Sequence, residues 1–317
     1  MIWATNPIIR NMKQIVLISV LFFVCQSLTA QSGPISKWVT DYCATKGGDQ
    51  EAYKGLQEHG NSKEVAAAIW TYVNDTTKTD FEYTVYLIKG LAKKHTEKDT
   101  RSSYVRSLTA IALKQQKPVT LLALNALKTF AKSEFDTRVK DDLLIIVAER
   151  SNGRSEAIEL IGFIGSENDR DFLKGLGKYT TLSKKEKYHV LLALVRLNDP
   201  VAVEQFVVDL KNRKINDELV NSLLPDLVYT HNKQVYDILI KDLFTDTPSC
   251  YSANNDSEEK ILCAYRILEQ LSGEIISFPV QTDKSGELTG DYTDALVRAR
   301  NWVLEVNSEY IIDNTNY

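Results

Sequence analysis

Apolar residues along this chain recur at helical spacing, with strand-like alternation confined to one stretch. Between 187 and 198 they fall at Val190, Leu191, Leu194 and Leu197, and Leu192, Ala193 and Val195 widen the stripe. A stripe that broad belongs to a helix covered by neighbours on two sides. Asn198-Asp199-Pro200 ends it. Pro200 cannot continue a helix but suits the first turn of the next, and Asp199 is a natural N-cap. Segments 35–44, 49–58, 62–74, 80–95 and 102–115 also read as helices, with stripes such as Val65, Ala68, Ile69, Tyr72 and Phe81, Val85, Ile88, Leu91. Polar breaks at Gly47-Gly48, Gly60-Asn61 and Asp75-Thr76-Thr77 separate them. A last helix over 293–306 places Leu296, Ala299, Val303 and Val306 on one side, with Trp302 beside them. Only 275–292 alternates in a β-like way, around Asp283-Lys284-Ser285-Gly286, which predicts a small β-hairpin insertion. The pattern predicts an all-α chain.

The helices repeat. Leu194-Val195-Arg196-Leu197-Asn198-Asp199-Pro200 aligns with Leu227-Val228-Tyr229-Thr230-His231-Asn232-Lys233, 33 residues later. The following helices align too, Val203 with Tyr236, Phe206 with Leu239 and Leu210 with Leu243. Ile161 to Ser166 covers the same turn one unit earlier, and Leu124 to Ala131 is a weaker copy. Periods of this size mark stacked repeat architectures. The stretches EAIELIGFIGSENDRDFLKGL (156–176) and HVLLALVRLNDPVAVEQFVVDL (189–210) resemble HEAT repeats of the short bacterial type. The match covers roughly 154–243 and extends to 104–153 and 261–306. Asn198 stands where the family usually has Gly, and the 227–243 unit lacks Asp-Pro. The resemblance implies an α-solenoid of stacked antiparallel helix pairs, with a concave face of the kind often used to hold partners. Read this way, 31–103 is an irregular N-terminal helical cap, 104–260 the HEAT-like array, and 261–317 a C-terminal repeat and cap that carries the insertion.

The first thirty residues read as an address. Ile15 to Val24 is an uncharged apolar run behind Lys13, too short to span a bilayer, and Ala30 offers a signal peptidase its small residue. This predicts a signal peptide over 1–30, with Met12 as a candidate true start, and an exported chain, periplasmic or secreted. Lipidation at Cys25 is the competing reading; bulky Val24 before it argues against that. No later segment approaches membrane-spanning length, so no transmembrane helix is expected in the mature chain. The net charge is −4, and −6 once Arg10 and Lys13, the only charges of the leader, are removed. An acidic chain without a basic stripe is a poor nucleic-acid ligand.

Candidate chemistry is sparse. In an oxidising compartment Cys250 and Cys263 would bond and pin the polar insertion 245–258, with Cys43 left free. The histidines His59, His95, His189 and His231 show no metal-ligand spacing, and His189 and His231 read as solvent-facing or capping residues. Ser257 to Lys260 matches S-x-x-K without companion motifs, so Ser257 reads as an N-cap. The acidic groups around Asp256 and around Asp283 lack EF-hand spacing. No catalytic, cofactor or metal residues are assigned. The aromatic N-terminal stretch and the two insertions put Trp38, Tyr42, Tyr251, Asp283 and Tyr292 forward as a binding surface. The expected function is a non-enzymatic scaffold for a protein or peptide partner. An envelope hydrolase, or a glycan- or ion-binding module built on the C-terminal insertions, is the alternative.

Overall fold

The computed structural model describes residues 33–149, 152–251, 259–307 and 309–317. The leader, Cys25, Ala30 and most of the polar loop with Asp256 and Ser257 lie outside the described residues. The fold is all-α. Sixteen α-helices are found among the described residues, with one two-stranded antiparallel sheet. The chain divides into two compact units, one ending at Ile111 and the other beginning at Ala112.

In the first unit α1 (Gly33–Ala44) packs against α2 (Gln50–Glu58), α3 (Ser62–Asn74) and α4 (Glu82–Leu91), and α5 (Lys98–Lys114) begins. The apolar stripes meet in a core of Val39, Leu56, Val65, Ile69, Val85 and Ile88. Asp49 caps α2 by accepting from the Ala52 N–H at 2.9 Å, and Asn61 caps α3. Cys43 is a free thiol, 3.3 Å from the Thr84 hydroxyl.

The second unit holds α6 (Val119–Leu127), α7 (Thr137–Glu149), α8 (Arg154–Ile164), α9 (Glu167–Tyr179), α10 (Lys184–Arg196), α11 (Pro200–Lys211), α12 (Asp217–Ser222), α13 (Leu224–Tyr229) and α14 (Lys233–Asp242). Strands β1 (Cys250–Tyr251) and β2 (Lys260–Ile261) and helices α15 (Cys263–Leu271) and α16 (Tyr292–Val306) complete it. Neighbouring helices pack in order: α8 on α10, α10 on α13, α13 on α15, and α11 on α14. The N-caps of α9, α11 and α14 are Ser166, Asp199 and Asn232, each 33 positions apart. The residues before the last two caps, Asn198 (φ 57°) and His231 (φ 43°), take the left-handed conformation that lets one helix turn into the next. Asn tolerates that region better than most residues, and His231 is the costlier occupant. Adjacent turns touch, because Asn232 Nδ2 donates to Asn198 Oδ1 at 2.9 Å. The unit between 217 and 229 is broken into α12 and α13 at Leu223, just before Pro225, which has no N–H to give to the earlier turn.

Cys250 and Cys263 are joined by a disulfide across the loop between β1 and α15. Cys250 lies opposite Ile261 and Tyr251 opposite Lys260, a short ladder that the hydrophobic pattern did not announce. The expected hairpin around 283–286 is minimal: Thr282 bridges Leu288, and Asp283 Oδ1 accepts from the Ser285 N–H at 2.8 Å. Its base is core, since Phe278, Val280 and Leu288 are buried.

Helices α8 and α10 approach each other closely. A Cβ on Gly162 would come within 2.8 Å of Ala193 Cα and 2.2 Å of the Tyr229 hydroxyl. Gly177, exposed in α9, has nothing within 4 Å. Gly162→Ala is therefore expected to lower the unfolding free energy by about 1–3 kcal/mol through overpacking. Gly177→Ala is expected to raise it by about 0.4–1 kcal/mol through a less flexible unfolded chain. Urea unfolding of the two variants checks the opposite signs.

Candidate functional site

The five surface residues put forward from the sequence fall in both units. In the first, Tyr42 is buried and stacked on Tyr53 with ring centroids 5.5 Å apart, so it is core and not a docking surface. Trp38 is half-buried over Gly55, where any Cβ would sit 3.1 Å from the indole. In the second, Tyr251 is 52 % exposed beside Lys260, and Asp283 lies in the exposed hairpin turn. Tyr292 is half-buried and donates to Glu269 at 2.6 Å. Tyr251 and Asp283 thus keep the exposure a docking residue needs, and Tyr42 does not.

A different group of residues forms the most elaborate polar arrangement of the second unit. Residues 309–317 run back as an extended segment. Ile276 N–H donates to Ile311 O at 2.9 Å, Asp313 N–H to Glu274 O at 2.8 Å and Lys132 N–H to Thr315 O at 2.9 Å. Tyr310 donates to Asp237 at 2.9 Å. The segment reaches the stack of first helices at Tyr317, whose ring lies edge-on to Phe163 and tilted on Tyr229. The Tyr317 hydroxyl donates to Glu159 Oε2 at 2.9 Å. Glu159 is buried in α8 and also meets Lys128 Nζ at 2.5 Å and His189 Nδ1 at 2.7 Å. Tyr229 donates to the Glu159 carbonyl at 2.7 Å.

Burial by itself pushes the Glu159 carboxyl up, but His189 and Lys128 outweigh it and hold the group down at about 2. Burial and the neighbouring Tyr229 and Glu159 push the Tyr317 phenol up, so it stays a proton donor. Asp226 is pushed up by burial, partly offset by the Tyr188 hydroxyl. A carboxylate so low and so fully engaged is a poor proton acceptor. Its chemistry is that of an anchor for an ammonium, an imidazole and a phenol.

Two sequence expectations are corrected here. His189 is not solvent-facing; its ring is half-buried, with Nδ1 2.7 Å from Glu159. His231 is buried, its Nε2 3.0 Å from Glu274 and its Nδ1 3.1 Å from Asn314 Oδ1. Spacing along the chain carries no information about such tertiary partners. The signal that could have found the cluster is a charge on an apolar stripe: Glu159 inside IELIGFI and Arg196 inside LLALVRL.

On the other side of α10 a cleft of about 610 Å³ is walled by Val190, Leu191, Leu194 and Val201, with the Lys174–Asp199 ion pair at its edge. Among the described residues no group of three His, Cys, Asp or Glu side chains is placed to hold a metal ion, and no helix is long and apolar enough to cross a membrane. Comparison of the chain with protein-family models, with curated proteins and with solved structures finds no match.

Glu159→Gln is expected to cost about 3 kcal/mol near neutral pH by leaving Lys128 and His189 unpaired. The folded pKa lies below the ordinary value of 4.5, so the stabilisation is complete above that value and is lost as pH falls towards 2. Unfolding free energies of native protein and variant are expected to converge over that interval; a constant difference would show that the charge of Glu159 contributes nothing.

Proposed function

We propose that this chain is an exported, non-enzymatic scaffold of the HEAT-like α-solenoid kind that holds a protein or peptide partner. The observation that carries this reading is the seating of residues 309–317. The second unit already grips an extended segment of chain across α8, α10 and α13. Arg196 donates to the Asn316 carbonyl at 3.0 Å, and Tyr317 enters a slot of aromatic rings. Backbone carbonyls met by fixed donors, with one aromatic anchor, are the means by which helical surfaces hold extended peptides. The 33-residue spacing of the N-caps at Ser166, Asp199 and Asn232 supports the repeat reading. The Cys250–Cys263 disulfide supports an oxidising compartment, as does the apolar run Ile15 to Val24. Tyr251 and Asp283, both exposed, are the first residues to examine for partner contact.

Antibody capture of the chain from native envelope extract, with mass spectrometry of what co-purifies, tests the reading. The expected result is a mature chain beginning at Gln31 that carries one protein partner in comparable amount. Tyr251→Ala together with Asp283→Ala is expected to reduce that partner. A chain recovered from the cytoplasm with residues 1–30 intact would overturn the export. A mature chain without a partner above the antibody control would overturn the scaffold.

A further inference from the structure

Arg196 is a buried cation with no ion-pair partner among the described residues. It is 8 % exposed. Its two terminal nitrogens donate to backbone carbonyls, Tyr229 at 2.9 Å and Asn316 at 3.0 Å. Its plane lies 4.9 Å from the centre of the Phe163 ring, 4.8 Å from that of Tyr229 and 5.7 Å from that of Tyr317. These contacts solvate a guanidinium but supply no full countercharge. The acid whose charge acts on it, Glu274, is already paired with His231 at 3.0 Å. Elsewhere in this unit the buried charges are matched: Arg154 with Glu186 at 3.1 Å, Lys128 with Glu159, Lys174 with Asp199.

Arg196 lines a cavity of about 310 Å³ between the α8–α9 turn and the α10–α11 turn. Two more cations, Lys132 and Arg170, line the same cavity. Lys132 has no ion-pair partner among the described residues. Its ammonium is pushed down, first by partial burial and then by the Arg196 charge, which places two uncompensated cations close together. Arg170 gives one nitrogen to Glu167 at 2.8 Å, but its Nε is buried without a hydrogen-bond partner. Among the described residues Glu167 is the sole acid on the wall, and its side chain is 85 % exposed. Asn198 uses Oδ1 to accept from Asn232, which leaves its amide nitrogen as a further donor on the wall. Three cations and spare N–H donors against one solvated carboxylate is the chemistry of an anion receptor. The larger cleft beside α10 is less unbalanced, because much of its wall is apolar and Lys174 pairs with Asp199, which leaves Lys187 as the one further charge lining it among the described residues.

We propose that this cavity binds a small oxyanion, a carboxylate or phosphate group carried by a small molecule, between Lys132, Arg170 and Arg196. The volume admits a headgroup with a short body and not a folded partner. Arg196 is fixed by its two carbonyls and three rings, so it offers a preorganised face. Lys132 and Arg170, at the rim, supply adaptable contacts.

The full chain is titrated with inorganic phosphate and, separately, with succinate, at constant ionic strength in chloride, by calorimetry and by thermal melting. Saturable binding of one or both is expected, and the tighter of the two identifies the headgroup. Joint replacement Lys132→Gln and Arg170→Gln is expected to weaken binding about tenfold or more. Glu167→Gln, which removes the opposing acid, is expected to tighten it by about threefold. Lys185→Gln, an exposed lysine outside the cavity, is expected to leave it unchanged. Absence of saturation with both ligands overturns the proposal. So does a double variant that keeps its affinity within about twofold. Should circular dichroism show the double variant unfolded, Glu167→Gln decides alone, and an unchanged affinity overturns the site.

Discussion

The guanidinium of Arg196 ties together parts of the chain that are far apart in sequence. It leaves the last turn of α10, satisfies the carbonyl of Tyr229 at the end of α13, and reaches the carbonyl of Asn316. Carbonyls in the last turn of a helix have no partner within the helix, and a cation there also meets the negative end of the helix dipole. Arg196 meets both needs with one side chain. Its flat faces explain why Phe163, Tyr229 and Tyr317 gather around it. Tyr317, once placed, delivers its hydroxyl to Glu159 and so closes the second polar knot with Lys128 and His189. A lysine could not replace Arg196, because a point charge offers neither the fork nor the stacking plane.

These knots sit inside a stack that is otherwise apolar, and the stack sets their geometry. Gly162 and Ala193 let α8 and α10 approach until backbone nearly meets side chain. That closeness brings Glu159 within reach of His189 across the interface and brings the Tyr229 hydroxyl onto the Glu159 carbonyl. Apolar stripes alone would tolerate sliding of one helix past the next. A buried carboxylate that must meet Lys128, His189 and Tyr317 at once fixes the register, because any slip strands a charge away from water.

Much of this order was legible in the sequence. The helices, their breaks and the repeat depend on local residue types: Asp199 before Pro200, Asn61 before Ser62, the i, i+3, i+4 recurrence of leucine and valine. Those features act within a few residues of themselves, so pattern reveals them. The hairpin turn at Asp283 is local in the same sense. The polar knots are not. Tyr317 and Glu159 are 158 positions apart, and nothing near either residue says that they meet. The burial of Tyr42 and His231 and the half-burial of His189 also come from tertiary partners, and composition could only name them as aromatic or titratable. The split of α12 from α13 lies between these cases: Pro225 was visible, but its effect depends on how the flanking leucines pack.

The turns of the repeat explain why charge collects along one edge. Each second helix starts there, and each helix start carries a partial positive charge. Asp169 answers it at α9, where its carboxylate accepts from the Ser166 N–H at 2.7 Å, and Asp199 answers it at α11. Each acid then draws its own lysine, Lys140 to Asp169 and Lys174 to Asp199. At the α14 start the cap is Asn232, which is neutral, and the acid at this turn is Glu274, which meets His231 at 3.0 Å. The carboxylates along this edge are thus engaged by their own partners, and Arg196 is left to backbone carbonyls and ring faces.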